Sequence, residues 1–285
     1  MTRHWMHKRL EHRGAARKGG LKLLVTDWVS YDNVPDMARR IPEKRLQDLI
    51  DCAARVFIER GYRQTQMEEI ASALGVAKGT LYLYVESKAA LFDAVLRYAG
   101  KPLDAPPQLP IATPRSGATL AHVRDEIERK EFLPTLTQVR RPTARDGRVE
   151  LEGIVRELYR ALSGERVRLR LIDKSARDFP DIAALWFERV RRGTVALLRR
   201  YLEARVRDGT LRPVHEPAVT ARLMLETIFH WAVDRHWDPH PTQVIHEAAA
   251  ESALVDFIVA ALARPVAAGR RKRTRPRATR ASGRQ

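Results

Sequence analysis

Two short helical segments on either side of one glycine constrain this 285-residue chain more than any other feature of its sequence. Residues 67–74 carry apolar side chains at every third or fourth position, which predicts a short amphipathic helix. Gly75 can adopt the left-handed backbone conformation that ends such a helix. After two more residues, 78–84 predicts a further helical stretch. Two short helices joined by a tight glycine turn form a helix-turn-helix.

Helices are also predicted on both sides of this motif. From Pro42 onward apolar residues recur at helical spacing, and Gly61 ends that helix. Thr65 and Glu68 have the spacing of a capping box at the start of the second helix. Ser87 is placed to cap a fourth helix, whose apolar positions continue to residue 96. The expected unit is therefore a small bundle of four helices.

The residue types within the motif indicate which side faces outward. Ala71 is small enough to let the third helix cross closely, and Ile70 and Leu81 supply apolar contacts between the helices. The remaining polar side chains are expected on the opposite side, where hydroxyls and an ammonium group can contact DNA phosphates. These residues are Thr65, Lys78, Thr80, Tyr82 and Tyr84.

The ordered run of these residues resembles the DNA-binding domain of the TetR family of transcriptional regulators. The resemblance rests on 57–62, 65–75, 75–88 and 90–92, and covers about 43–102. It implies a helix-turn-helix proper at 66–85. It also implies that contacts with phosphates or base edges fall on Thr65, Lys78, Thr80, Tyr82, Tyr84 and Lys88, with Gly79 where the helix backbone approaches the DNA.

Four positions bear on how far the resemblance extends to function. Ala77 stands where a capping serine or threonine is usual, Val85 where phenylalanine is usual, and Ala89 where an acid is usual. Leu83 occupies the most variable base-reading position. An apolar side chain there can contact a thymine methyl group but cannot hydrogen-bond a guanine.

The rest of the chain predicts a second helical domain. A proline-rich linker is expected at 103–117, and no alternating strand pattern of useful length follows it. Helical periodicity returns at 118–131, 146–163, 165–177, 180–208, 216–236 and 243–263. The fold class is therefore all-α, with a small helix-turn-helix bundle followed by a larger helical ligand-binding and dimerisation domain at 118–263.

The last two predicted helices carry broad apolar stripes with small residues that permit close approach. Such a pair is typical of a dimer-forming four-helix bundle. The expected interface residues are Leu223, Thr227, Trp231, Ala248, Ser252, Val255 and Val259.

The segments 179–187 and 209–213 resemble effector domains of the multidrug-responsive, AcrR/AefR-type branch of the family. That resemblance implies an apolar small-molecule pocket between helices. Aromatic side chains supply the candidate lining, although a single aromatic residue at helical spacing belongs to a core more often than to a pocket. The candidates are Phe132, Tyr159, Trp186, Phe187, Tyr201 and Phe229.

Positive charge is concentrated at the two ends of the chain. The sequence has 52 Lys and Arg against 35 Asp and Glu, a formal net charge of +17. Residues 264–285 contain nine basic residues and no acids, whereas 41–98 contains eight of each. We expect the end segment to be a disordered arm that neutralises DNA phosphates, or a solubilising tail without a partner.

The basic segment 1–41 carries no assigned fold. Met37 is a possible alternative start of translation, and the intact mass of the native protein tests that hypothesis.

Several other classes of protein are excluded by what the sequence lacks. The single cysteine, Cys52, cannot form a disulfide framework or a thiolate zinc site. No apolar run is long enough to span a membrane or to act as a signal peptide. Asp238 and Pro239 interrupt the helix that would bring His236 and His240 together, which argues against a metal site. No catalytic motif is present, so neither a catalytic residue nor a cofactor is expected.

Together these features predict a cytoplasmic, nucleoid-associated homodimer that represses transcription. It is expected to bind a near-palindromic operator in double-stranded DNA and to be released by a small apolar effector. The alternative is an architectural protein that coats DNA through its basic tails without reading sequence. An enzyme built on the helical body has no supporting residues.

Overall fold

The computed structural model describes residues 43–264, apart from 104, 106, 130–132, 138–146 and 239. Every regular element in this part of the chain is helical, and the only β-type pairings there are two isolated bridges. The predicted all-α class is confirmed. The tails beyond 43–264 lie outside the described residues, as does the possible start at Met37.

Four helices form the first group, which we call the head. They are α1 (Glu43–Arg60), α2 (Met67–Leu74), α3 (Lys78–Leu81) and α4 (Lys88–Tyr98). Helix α4 packs across α1, and α2 lies between α1 and α3. The apolar faces predicted from spacing are buried, since Phe57, Ile70 and Leu81 are almost inaccessible to solvent.

Two details of the motif differ from expectation. Helix α3 ends at Leu81, and the chain continues to Tyr84 in tighter turns with hydrogen bonds between residues three apart. The capping arrangement at α2 lies one residue later than predicted, because the Glu69 carboxylate accepts from the Gln66 N–H at 3.0 Å. Gly75 has φ 77° and ends α2 as predicted.

The remaining helices form the second group, which we call the body. They are α5 (Ala118–Arg129), α6 (Pro134–Thr137), α7 (Gly147–Gly164), α8 (Arg166–Lys174), α9 (Pro180–Ala184), α10 (Arg192–Arg207), α11 (Pro217–Ala232) and α12 (Glu247–Leu262). One π-helical stretch (Leu185–Arg191) joins α9 to α10, so residues 180–207 form one continuous rod. Helices α7, α11 and α12 pack on one another, and α10 packs on α11.

Head and body contact each other directly. Helix α8 packs against α1 and α4. Phe179, just before α9, enters an aromatic cluster of the head and stacks on Phe92 with ring centroids 4.6 Å apart. Beside it, the Asp178 carboxylate accepts from the Arg63 guanidinium at 3.0 Å. The described residues of the head and the body belong to one compact unit, so the predicted division at 102/103 remains a prediction.

Within the part of the chain that the structure describes, no helix combines the length and the apolar character that crossing a membrane requires.

Candidate DNA-binding surface and ligand cavity

The end of α3 presents the most exposed large apolar side chains of the head. Tyr82 is 41% exposed and Leu83 is 59% exposed, although both follow a buried leucine. Lys78 and Gly79 are exposed as well, and Thr80 is half-buried. The structure therefore brings these five predicted residues together on one outward surface. Side chains of this kind would contact base edges and phosphates if α3 entered a major groove.

Lys78 already has a partner on this surface. Its ammonium group donates to the Glu68 carboxylate at the start of α2, and both side chains are about half exposed. This hydrogen bond raises the pKa of Lys78 and lowers the pKa of Glu68. Lys78 can therefore contact a phosphate only if its ammonium group leaves Glu68 or donates to the carboxylate and the phosphate together.

Three other predicted contact residues serve the head internally. The expectation that Thr65 and Tyr84 point outward is wrong, because both side chains are buried. The Thr65 hydroxyl donates to the Gly61 carbonyl at 2.8 Å, which joins the end of α1 to the start of α2.

Lys88 has three donors, and it directs them at the backbone carbonyls of Tyr62, Arg63 and Thr65 at 3.0, 3.4 and 3.0 Å. Its ammonium nitrogen also lies 4.5 Å from the centroid of the Tyr62 ring. Lys88 thus fixes the loop between α1 and α2 against α4, and its contact with DNA stays a prediction.

A largely apolar cavity lies inside the body. Its walls come from α5, α7, α8, the π-helical stretch, α10 and α11. Two of the predicted aromatic residues, Trp186 and Phe229, line it, with ring centroids 6.1 Å apart. Aliphatic side chains such as Leu158 and Leu169 complete the wall. An apolar cavity with few polar groups suits a small apolar ligand.

The other predicted aromatic residues do not line this cavity. The Tyr159 hydroxyl donates to Glu247 at 2.8 Å and joins α7 to α12. Tyr201 is buried beside Arg205, and burial together with the nearby Glu150 carboxylate raises the pKa of Tyr201. Phe187 is half-buried outside the cavity wall, and Phe132 lies outside the described residues.

A buried charge cluster in the cavity wall was not predicted from the sequence. The Arg168 guanidinium donates to the carboxylates of both Glu126 and Glu165. Burial lowers the pKa of Arg168 to about 10, which still leaves the group charged at neutral pH. On the head side, the Lys101 ammonium lies 3.3 Å from Glu165. The sequence contains one signal for this cluster. Glu165 and Arg168 are three residues apart, on the helical face that also carries Leu169.

The residues predicted for the dimer interface lie on two different faces of α11 and α12. Leu223 is 60% exposed and Ala248 and Ser252 are exposed, whereas Thr227 and Trp231 are half-buried. Val255 and Val259 are fully buried within the protomer, so they are not available as interface residues. Val219 on α11 and Phe257 on α12, which are not among the expected interface residues, are also largely exposed.

Among residues 43–264, in the parts that the structure describes, no three His, Cys, Asp or Glu side chains are grouped closely enough to hold a metal ion.

The structure thus combines a helix-turn-helix head with an all-helical body that contains an apolar cavity. Residues 49–95 match the family described as bacterial regulatory proteins, tetR family. Residues 150–263 match the family described as AefR-like transcriptional repressor, C-terminal domain. The two matches together cover more than half of the chain, and the chain belongs to the TetR family.

Curated relatives match over short stretches of the chain. The HTH-type transcriptional repressor KstR2 of Rhodococcus jostii is 43% identical over 53 residues, which cover 19% of this chain and 26% of the relative. The HTH-type transcriptional activator FasR of Mycolicibacterium smegmatis is 42% identical over 59 residues, which cover 20% of this chain and 27% of the relative. The chain thus matches about a quarter of the length of each relative, one of which is named a repressor and the other an activator.

The solved structures extend the likeness of fold to the body. The structure of the transcriptional regulatory protein RHA5900 superposes with a TM-score of 0.50 at 20% identity, covering 77% of this chain and all of that chain.

Proposed function

We propose that this protein is a dimeric transcriptional repressor that reads a near-palindromic operator and is released by a small apolar ligand. The observation that carries the proposal is the exposed end of α3, with Tyr82 and Leu83, on a head that packs directly on a body with an apolar cavity. A chromosome-bound regulator of this kind works in the bacterial cytoplasm.

In this proposal the head residues divide into those that contact DNA and those that position them. Lys78, Thr80 and Tyr82 contact phosphates, Gly79 lets the backbone approach, and Leu83 contacts a base edge. Thr65, Tyr84 and Lys88 hold the loops that orient α3. The division rests on exposure, since the first group is exposed or half-buried whereas Thr65 and Tyr84 are buried and Lys88 donates to three carbonyls.

The proposed dimer forms through the exposed apolar face of α11 and α12. A two-fold axis through that face presents two copies of α3 to DNA, and binding requires them to lie about 34 Å apart, one turn of the duplex. Val219, Leu223 and Phe257 are the large side chains available to such a contact.

Ligand release follows from linkage between the cavity and the head. Helix α8 contributes Arg168 and Leu169 to the cavity wall and packs on α1 and α4. A ligand that binds better when α8 is displaced must weaken operator binding by the same coupling free energy. Such a protein represses transcription wherever its operator overlaps a promoter.

Selection of bound sequences from a random DNA pool tests the proposal. The purified full-length protein is used at physiological salt, and the expected result is enrichment of a near-palindrome with half-sites one helical turn apart. The enriched operator is then used to screen small apolar molecules for release. Retention of all DNA without enrichment would instead favour the architectural alternative and overturn the proposal.

Replacing Tyr82 by phenylalanine is expected to weaken operator binding about tenfold or more. The change removes one hydroxyl per protomer, and a hydrogen bond to a charged phosphate contributes roughly 1.5–3 kcal/mol. Fluorescence anisotropy with the enriched operator measures the affinity. Tyr98→Phe makes the same chemical change at the far end of α4 and is expected to bind normally. Equal affinities for both variants would remove Tyr82 from the contact set.

Deleting residues 265–285 is expected to flatten the salt dependence of DNA binding. The deletion removes eight basic residues. The slope of log K against log salt falls by about 0.9 for each phosphate that the protein no longer neutralises. The enriched sequence is expected to be unchanged, because phosphate contacts carry no base information. A tail of normal length with those eight residues replaced by Gln is the matched control and should behave like the deletion. An unchanged slope would show that the tail is not a DNA-binding arm.

A further inference from the structure

Residues 107–117, which we call the strap, return from the end of α4 to the end of α3. The Ile111 N–H donates to the Tyr84 carbonyl at 2.8 Å, and the Glu86 N–H donates to the Ile111 carbonyl at 3.0 Å. These two bonds make a parallel bridge between Val85 and Ile111. The sequence predicted a linker here, but the strap is bound to the head immediately beside the exposed surface of α3.

Two further contacts fix the strap along the start of α4. The Thr113 N–H donates to the Glu86 carboxylate at 2.8 Å, and the Thr113 and Ser87 hydroxyls lie 2.8 Å apart. Ser87 in turn caps α4 by accepting from the Ala90 N–H at 3.1 Å. After the strap, the Thr119 hydroxyl donates to Asp93 in the second turn of α4 at 2.7 Å. The strap is therefore anchored before and after its only arginine.

That arginine, Arg115, is exposed, and the part of the chain that the structure describes provides no hydrogen bond or ion pair to its side chain. Several other cations of the head are already engaged. Arg63 and Arg97 pair with Asp178 and Asp93, and the Lys88 ammonium donates to three carbonyls. Arg115 lies at most about 7 Å along the chain from Thr113.

We propose that the strap is part of the DNA interface and that Arg115 contacts a backbone phosphate beside the base-reading surface of α3. The inference rests on the proposed function of the head. Residues 41–98 carry eight basic and eight acidic residues, so the head needs cations from elsewhere to bind a polyanion. The strap supplies one at the required place, and the planar guanidinium matches phosphate geometry.

The strap also contacts an acidic side chain, Glu86, next to this surface. Glu86 is exposed at the junction of α3 and α4, where its carboxylate would repel a DNA phosphate. The Thr113 N–H donates to one of its oxygens at 2.8 Å, and Arg115 follows two residues after Thr113 in the chain. The strap thus makes the junction of α3 and α4 more favourable to DNA.

The variant Arg115→Gln tests the proposal. Its matched control is Arg124→Gln, because Arg124 is also an exposed arginine but lies on α5. Binding to a 30-base-pair duplex of fixed arbitrary sequence, and to the enriched operator, is measured at several NaCl concentrations. Arg115→Gln is expected to make the slope of log K against log salt less steep by about 0.9 per protomer. It is also expected to weaken binding to both duplexes by a similar factor. Arg115→Lys, which keeps the charge, is expected to keep the slope, and Arg124→Gln to leave slope and affinity unchanged.

An unchanged slope for Arg115→Gln would overturn the phosphate contact while leaving the proposed function intact. An equal loss of slope and affinity in Arg124→Gln would do the same. A lower slope without any enriched operator would support the contact and overturn sequence-specific regulation. Absence of binding to either duplex by the unchanged protein would overturn both.

Discussion

Leu223→Asp is expected to convert the protein from a dimer to a monomer. Leu223 is 60% exposed in the protomer, and with Val219 and Phe257 it gives α11 and α12 an apolar face that a dimer would cover. In a two-fold interface every substitution is present twice. Two carboxylates would therefore be buried without partners, at a cost of several kcal/mol each.

The loss of the dimer is expected to reduce operator affinity by about a hundredfold or more. A dimer binds its second half-site as an intramolecular event at high effective concentration, and a monomer loses that advantage. Sedimentation velocity measures the assembly state, and anisotropy with the enriched operator measures the affinity.

Val149→Asp is the matched control for this experiment. Val149 is 63% exposed on α7, close to the exposure of Leu223, but it lies on a different helix from the proposed interface. The control is expected to remain dimeric and to bind operator normally. A dimeric Leu223→Asp protein, or dissociation of both variants, would contradict the proposed interface.

The head was predictable from sequence because its signals are local. Apolar spacing identified the helices of 43–98, and Gly75 ended α2 at the predicted residue. The outward position of Tyr82 was expected from the same pattern, whereas that of Leu83 was expected from the family resemblance. Thr65 and Tyr84 were assigned wrongly because their burial depends on how α1, α2 and α4 meet, which helical periodicity does not determine.

The body was less predictable for a related reason. Helix α12 is apolar around most of its circumference, so its sequence does not distinguish the face that packs on α7 from the face left exposed. Val255 and Val259 were consequently assigned to the interface, although they are core residues. The strap was identified only as a proline-rich loop, because its hydrogen bonds join Ile111 and Thr113 to residues about 26 positions earlier.

Arg205→Ala is expected to destabilise the body by about 3 kcal/mol. The Arg205 side chain is only 4% exposed, and its Nε and Nη2 donate to the two oxygens of Glu150 at 2.6 and 2.8 Å. Its Nη1 donates to Asp208 at 2.9 Å. Removing one member of a buried ion pair costs roughly 3–5 kcal/mol, and the partial exposure of both carboxylates places the expected value at the lower end.

Thermal unfolding followed by circular dichroism measures this effect. A loss of that size lowers the Tm by roughly 6–12 °C for a domain of this length. Arg199→Ala is the matched control on the same helix, because Arg199 forms an exposed pair with Glu203 at 3.5 Å that contributes at most about 0.5 kcal/mol. A Tm of Arg205→Ala within about 2 °C of the control would show that the buried pair does not hold α10 to α7.

Arg205→Lys separates the charge from the geometry of this pair. Lysine keeps the positive charge but cannot present two parallel donors to the Glu150 carboxylate, so we expect it to recover only part of the lost stability. Arg205 does not line the ligand cavity and lies outside the head. Below their unfolding transitions both variants should therefore bind operator with normal affinity, because the pair stabilises the body without taking part in DNA recognition. Weakened operator binding by the folded Arg205→Ala protein would instead show that the ion pair between α10 and α7 is coupled to the head.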